Sequence, residues 1–274
     1  MLHTFTTVAV ATIALLLFGA GLLHLLPKLG RMGRSISDVF CRAPLLDVLV
    51  TYFTVAPLIA GPIYGRFGGL LGAIAGQFLA LILWSLLHEA FNPQIRKHPR
   101  IISVINRRVG AFRNLAAVYW TAWVVPVFWL IRMAEILIWP ALVWLVEFPR
   151  YRHADWVNVS RHKFAGLVGH DLIWCLYCDW MTGVWSLAGE MLRNVESFWC
   201  PIRFYDGKKC DNCSVDYPDI NNGWVPATAT MADVTAKLEE MYPNGQTPNA
   251  WFGHPVRISI NGKRIASQDA GVSH

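Results

Sequence analysis

Apolar residues run almost without interruption from Val8 to Leu26, and the basic residues Lys28, Arg31, Arg34 and Arg42 follow directly. A helix needs roughly twenty apolar residues to cross a bilayer, so this stretch predicts a first membrane span. Met1 to Thr7 carries no Lys or Arg, unlike the basic start of a secretory leader, and the helix is expected to be retained. The basic flank then predicts a cytoplasmic loop and an outside N-terminus. A second apolar stretch, Leu45 to Ile63, is broken by Pro57 and Pro62. A third, Phe67 to Leu87, follows after only Tyr64-Gly65-Arg66, which predicts a tight helical hairpin. Gly68, Gly72, Gly76 and Ala80 recur every fourth residue and so share one helical face. Such a smooth ridge admits a close helix, either the first or second span or a partner subunit; the intramolecular reading is the simpler.

From His88 to Arg113 the pattern turns basic, with Arg96, Lys97, Arg100, Arg107, Arg108 and Arg113 against Glu89. Ile101 to Phe112 mixes apolar and basic residues at near-helical spacing, which fits a short helix lying in the membrane surface and equally a solvated basic loop. Leu115 to Val146 is apolar again and longer than one crossing requires. Arg132 and Glu135 interrupt it on one helical face, where a salt bridge near the interface is the simple reading. Because Arg150, Arg152, Arg161 and Lys163 make the next flank basic too, the charge rule predicts that this run enters and returns as a bent pair of helices. Phe164 to Phe198 holds no proline and reads as a helix, with Asp171, Cys175, Cys178 and Thr182 along one stripe.

Past Cys200-Pro201 the character changes to turn-forming residues. Thr230 to Met241 predicts a short helix with Thr230 or Asp233 near its start. Val256 to Ala266, centred on Asn261-Gly262, predicts a β-hairpin, because Asn-Gly supplies the positive φ of a two-residue turn. The fold class is therefore an all-α polytopic membrane protein of about four spans. Residues 1–147 form the transmembrane helical bundle, 148–200 carry an interfacial Cys-bearing helix, and 201–274 form a small α+β cysteine-rich tail.

Composition sharpens this picture. Of the 274 residues 54% are hydrophobic and only 15% charged, and thirteen are tryptophans, which collect at bilayer surfaces. In that setting a net charge of +6 points to anionic lipid rather than nucleic acid. The expected location is a cell or inner membrane, with the C-terminal domain on the cytoplasmic side.

Five of the six cysteines fall between His170 and Cys213, as Cys175-x-x-Cys178, Cys200 and Cys210-x-x-Cys213. An odd number cannot all pair as disulfides, and two Cys-x-x-Cys pairs about thirty residues apart match the ligand sets of zinc and iron–sulfur centres. The metal candidates are Cys175, Cys178, Cys210 and Cys213, with Cys200 and His170 as further ligands. Cys210-Asp-Asn-Cys213 sits among turn residues and suits a metal knuckle, whereas Cys175-Leu-Tyr-Cys178 lies in a helical run. His24, His88, His98, His153 and His162 read as solvated or lipid-facing, and Cys41 as a structural or lipid-facing residue. No phosphate-binding glycine loop, Ser/His/Asp pattern or His-Glu-x-x-His occurs, so no catalytic residue is assigned. The expected function is an accessory or docking subunit of a larger membrane complex with a structural zinc held by four cysteines. The competing class is a membrane redox protein with an iron–sulfur cluster passing electrons to a quinone or partner subunit. A transporter fits less well, because Gln77, Arg132 and Glu135 are the main polar residues within the spans.

Overall fold

The computed structural model describes residues 1–164, 166–213, 220, 223–241, 259–260 and 263–264. Three elements are long and apolar enough to cross a membrane: Leu2–Lys28, Leu45–Phe91 and Ala111–Val146. The chain divides into two compact units, Met1–Leu130 with Val157–Val184, and Ile131–Trp156 with Trp185–His274.

In the first unit, α1 (Leu2–Leu25) leads through a short turn to α2 (Gly30–Phe40). Helix α3 (Leu45–Val50) continues through a π-turn, Thr51–Val55, into α4 (Ala56–Phe91). Pro57 has no N–H, so it leaves a carbonyl one turn earlier without its helical partner. Gln77 answers it, its side-chain amide donating to the carbonyls of Phe53 (3.0 Å) and Thr54 (2.6 Å). Backbone angles leave the helical region at Gly65 and Arg66, and a methyl group on Gly61 would lie 2.6 Å from the carbonyl of Gly69. Residues eight apart in a straight helix are about 12 Å apart, so the chain has reversed. The expected hairpin is present.

The glycine ridge faces α1. A methyl on Gly72 would meet the carbonyl of Phe5 at 2.5 Å, and one on Gly76 the carbonyl of Ala9 at 2.8 Å. The ridge is thus consumed by internal helix packing and is not a docking face for another subunit. Because Met1 lies beside Gly68 and His24 beside His88, α1 runs parallel to the second arm of α4. The two basic segments that follow them leave from one end of the unit, as the charge rule requires.

After α5 (Pro93–Arg96), α6 (Ile101–Val109) ends at Gly110, whose φ of 90° turns the chain into α7 (Ala111–Thr121). Helix α8 (Val125–Leu137) and α9 (Trp139–Val146) carry Pro126 and Pro140 at their starts, where the missing N–H costs nothing. After α10 (His153–Trp156), α11 (Gly169–Trp199) begins five residues later than the pattern predicts. Residues Arg161–Lys163 form a 3-10 turn instead, and Gly169 adopts φ 53°.

In the second unit, Trp139 stacks on Phe148 (5.3 Å between ring centroids), and Phe148 meets Phe198 and Trp199 edge-on. Trp139 Nε1 donates to the carbonyl of Pro149 at 2.9 Å, so its one polar atom is satisfied. Beyond α12 (Gly207–Cys213), the α13 helix (Met231–Met241) starts where Thr230 and Asp233 predict. Asp233 Oδ2 accepts from the Thr230 N–H (2.8 Å) and hydroxyl (2.7 Å). The segments Ser259–Ile260 and Lys263–Arg264 pair antiparallel; the rest of the expected hairpin lies outside the described residues.

Candidate functional site

Helix α11 organises the polar chemistry of the first unit, because its carboxylates cap other elements. Asp171 is buried and accepts from Arg100 Nε (3.0 Å) through one oxygen and from the backbone N–H of Ile102 (3.1 Å) through the other. The first N–H groups of a helix have no partner of their own, so Asp171 caps α6 from 69 residues away. Two turns later Asp179 does the same for the Arg161–Lys163 turn, accepting from the N–H groups of Ser160 (2.7 Å) and Arg161 (3.1 Å).

Arg100 is the hub. Its guanidinium is buried and also donates to Glu89 (2.9 Å) and to the carbonyl of Val168 (2.9 Å). Burial opposes its charge, but Glu89 and Asp171 outweigh that and push its pKa up. One side chain therefore ties the end of α4, the start of α6 and the start of α11. Next to it, Gly169 N–H donates to His88 Nδ1 at 3.1 Å, and a side chain at Gly169 would strike Glu89. Trp84 stacks on His88 and His24 meets it edge-on; His24 is exposed, as its position in the chain suggests, whereas His88 is half-buried among these partners.

His170 Nε2 accepts from Trp174 Nε1 at 2.9 Å, which places its own proton on Nδ1. Tyr119 closes on both rings. Burial, the larger effect, and the Arg100 charge keep His170 below the usual histidine pKa, against the pull of Asp171. Its described contacts are thus aromatic and charged, with no cysteine among them.

The thiols follow the expected stripe, though the stripe passes from inside to outside. Asp171 is buried, Cys175 half-buried, Cys178 exposed and Thr182 exposed. The Arg161 guanidinium is near enough to both thiols to act on them electrostatically. Burial raises the Cys175 pKa, and Arg161 opposes it. Cys41 sits 3.7 Å from His162 Nε2, a pairing across 121 residues. Burial, then Asp38, raises the Cys41 pKa; burial, then Lys163, lowers that of His162. Both were expected to be structural, solvated or lipid-facing, and no local signal links them.

Cys175, Cys178 and Cys41 belong to the first unit, and Cys200, exposed at the end of α11, to the second. None of these four is in a disulfide. Cys210 and Cys213 fall on α12, with their side chains outside the described residues. Among the described residues no three His, Cys, Asp or Glu side chains converge as metal ligands.

The second unit has its own buried charges. Arg132 donates to Glu135 at 2.6 Å, both side chains almost without solvent, so this ion pair is interior rather than at a wet interface. Arg193 pairs with Glu190 in the same i,i+3 arrangement, and Asn194 Nδ2 donates to Tyr151 Oη at 2.6 Å. Burial and the Glu190 charge push Tyr151 well above the ordinary phenol pKa. The sequence pattern does not single out Glu190, Arg193 and Asn194, which are buried on the same helix as Leu187 and Met191.

Compared with protein-family models, with curated proteins and with solved structures, the chain matches none. Its function rests on its own residues.

Proposed function

We propose that this protein is an integral membrane accessory or docking subunit whose Cys-x-x-Cys pairs ligate a structural metal, zinc in the first instance. The observation that supports it is the Cys175–Cys178 pair, which has no disulfide and lies one helical turn apart with Arg161 near both thiols. Metal binding requires thiolates, a form that burial disfavours at Cys175 and that Arg161 only partly restores, so the metal itself would have to draw the proton off. The partner-facing surface rests on the exposed tryptophans Trp120 and Trp123, since the glycine ridge is already occupied. The charge rule applied to the basic flanks supports a cytoplasmic C-terminal region as part of this reading.

Elemental analysis of the detergent-purified chain, with a visible spectrum of the same sample, tests the reading. About one colourless zinc per chain is expected, released when Cys210 and Cys213 are replaced by Ser and equally when Cys175 and Cys178 are. Metal content unchanged by either double replacement, or no metal at all, overturns it. Iron with visible absorption would instead make the protein a membrane electron carrier.

A further inference from the structure

Helix α2 places Met32, Ile36 and Val39 on one side, continued by Leu29 just before it, and all four are exposed. Arg31, Arg34 and Asp38 occupy the other side. Helix α6 repeats the arrangement: Ile101, Val104, Ile105 and Val109 form an exposed stripe, with Ser103 and Arg107 opposite, and Phe112, which is 83% exposed, follows the turn at Gly110. Two short helices that each turn an apolar stripe away from the protein and keep cations beside it are built to lie in a bilayer surface, half sunk among the acyl chains. Arg108, one turn after Val104 and within the stripe itself, can reach headgroup level along its aliphatic stem.

Their position decides the occupant. Each helix follows the end of a membrane-spanning arm, α1 or α4, and those ends meet at the His24–His88 contact. Both helices therefore emerge at one level. Lys28, Arg31, Arg34, Arg107, Arg108 and Arg113 are all exposed there, and none makes an ion pair with a described residue. The nearby carboxylates are engaged elsewhere: Glu89 and Asp171 by Arg100, Asp38 by Lys163.

We propose that α2 and α6 form a two-helix surface that binds the anionic phospholipids of the leaflet at this end of the bundle. The apolar stripes supply insertion, and the free arginines select phosphate-bearing headgroups with net negative charge over zwitterionic ones. This holds whatever the cysteines bind.

The test is native mass spectrometry of the delipidated full-length protein in detergent, offered equal amounts of phosphatidylglycerol and phosphatidylcholine. The wild type is expected to retain phosphatidylglycerol at least about fivefold more, the effect of a single basic side chain near a membrane surface. Replacing Arg31, Arg34, Arg107 and Arg108 together by Gln should bring retention of the two lipids close to equal, while the matching Lys replacements keep the preference. Equal retention of the two lipids by the wild type overturns the proposal without recourse to any variant. So does a Gln variant that keeps the full preference. In nanodiscs of phosphatidylcholine with and without phosphatidylglycerol, slower amide exchange across residues 30–40 and 101–109 in the anionic discs is the second expected result, and identical exchange in both counts against insertion.

Discussion

Arg100 and Arg193 are both withdrawn from water, yet they are held by different kinds of partner. Arg193 pairs with Glu190 three residues earlier on its own helix, as Arg132 pairs with Glu135 in the same unit. Arg100 reaches residues 11, 68 and 71 positions away. A local pair stiffens one helix and lets a charged patch be buried, because the helix itself brings the two ends together. A long-range hub makes three elements depend on one guanidinium, and its two carboxylates and one carbonyl are brought together by folding. Burying charge is costly in either case, and the difference lies in what fails when the charge is removed.

That contrast can be broken experimentally. Arg100→Ala leaves Glu89 and Asp171 without their cation and should lower stability by about 3–5 kcal/mol in denaturant unfolding in detergent. It should also speed amide exchange at the start of α6, where Asp171 caps Ile102. A loss under about 1 kcal/mol would mean that the hub behaves as a surface pair. Arg193→Met breaks the local pair and should cost about 3 kcal/mol while leaving the α6 amides at their wild-type rate; faster exchange there would erase the distinction between local and long-range pairing.

Smaller effects are expected where only packing changes. Gly72→Ala drives a methyl group against the carbonyl of Phe5 and should cost about 1–3 kcal/mol through overpacking. Gly21→Ala, where a methyl would meet nothing, should be neutral or mildly stabilising. Equal effects in thermal melts would place the α1–α4 contact elsewhere than on the ridge. The smallest effect concerns pH. His162 and His170 are both held below the ordinary histidine pKa, chiefly by burial, so the unfolded chain takes up protons before the folded one. Their neutral forms impose no penalty above about pH 6.5, and stability should fall as the pH drops below that value towards their lowered folded values. Melting temperatures that fall from pH 7 to pH 5, with a shallower slope in the His162→Gln/His170→Gln double variant, are the expected result; an unchanged slope would assign the pH dependence to other groups.

The thiol region shows how far each source of information reaches. Spacing alone singled out Cys175 and Cys178 and put them on one helical stripe, which the structure retains. It could not show that Asp171, on the same stripe, is already committed to Arg100 and to the cap of α6, nor that Arg161 lies near the thiols. The contact of Cys41 with His162 is not legible in the sequence, because nothing in a linear pattern links positions 121 apart.

Hydrophobic runs, basic flanks, the Tyr64-Gly65-Arg66 turn and the Thr230–Asp233 cap were all legible before any coordinates. Each depends on neighbours within a few residues or on the length of an apolar segment, and bilayer thickness and helix geometry convert such local quantities directly into structure. Tertiary structure alone decided that the glycine ridge serves α1, that Gln77 answers the carbonyls freed at Pro57, and that Arg100 joins three elements. Those choices depend on which surfaces meet after the chain reverses, and a guanidinium, a glycine face or an amide is compatible in sequence with many partners until packing selects one.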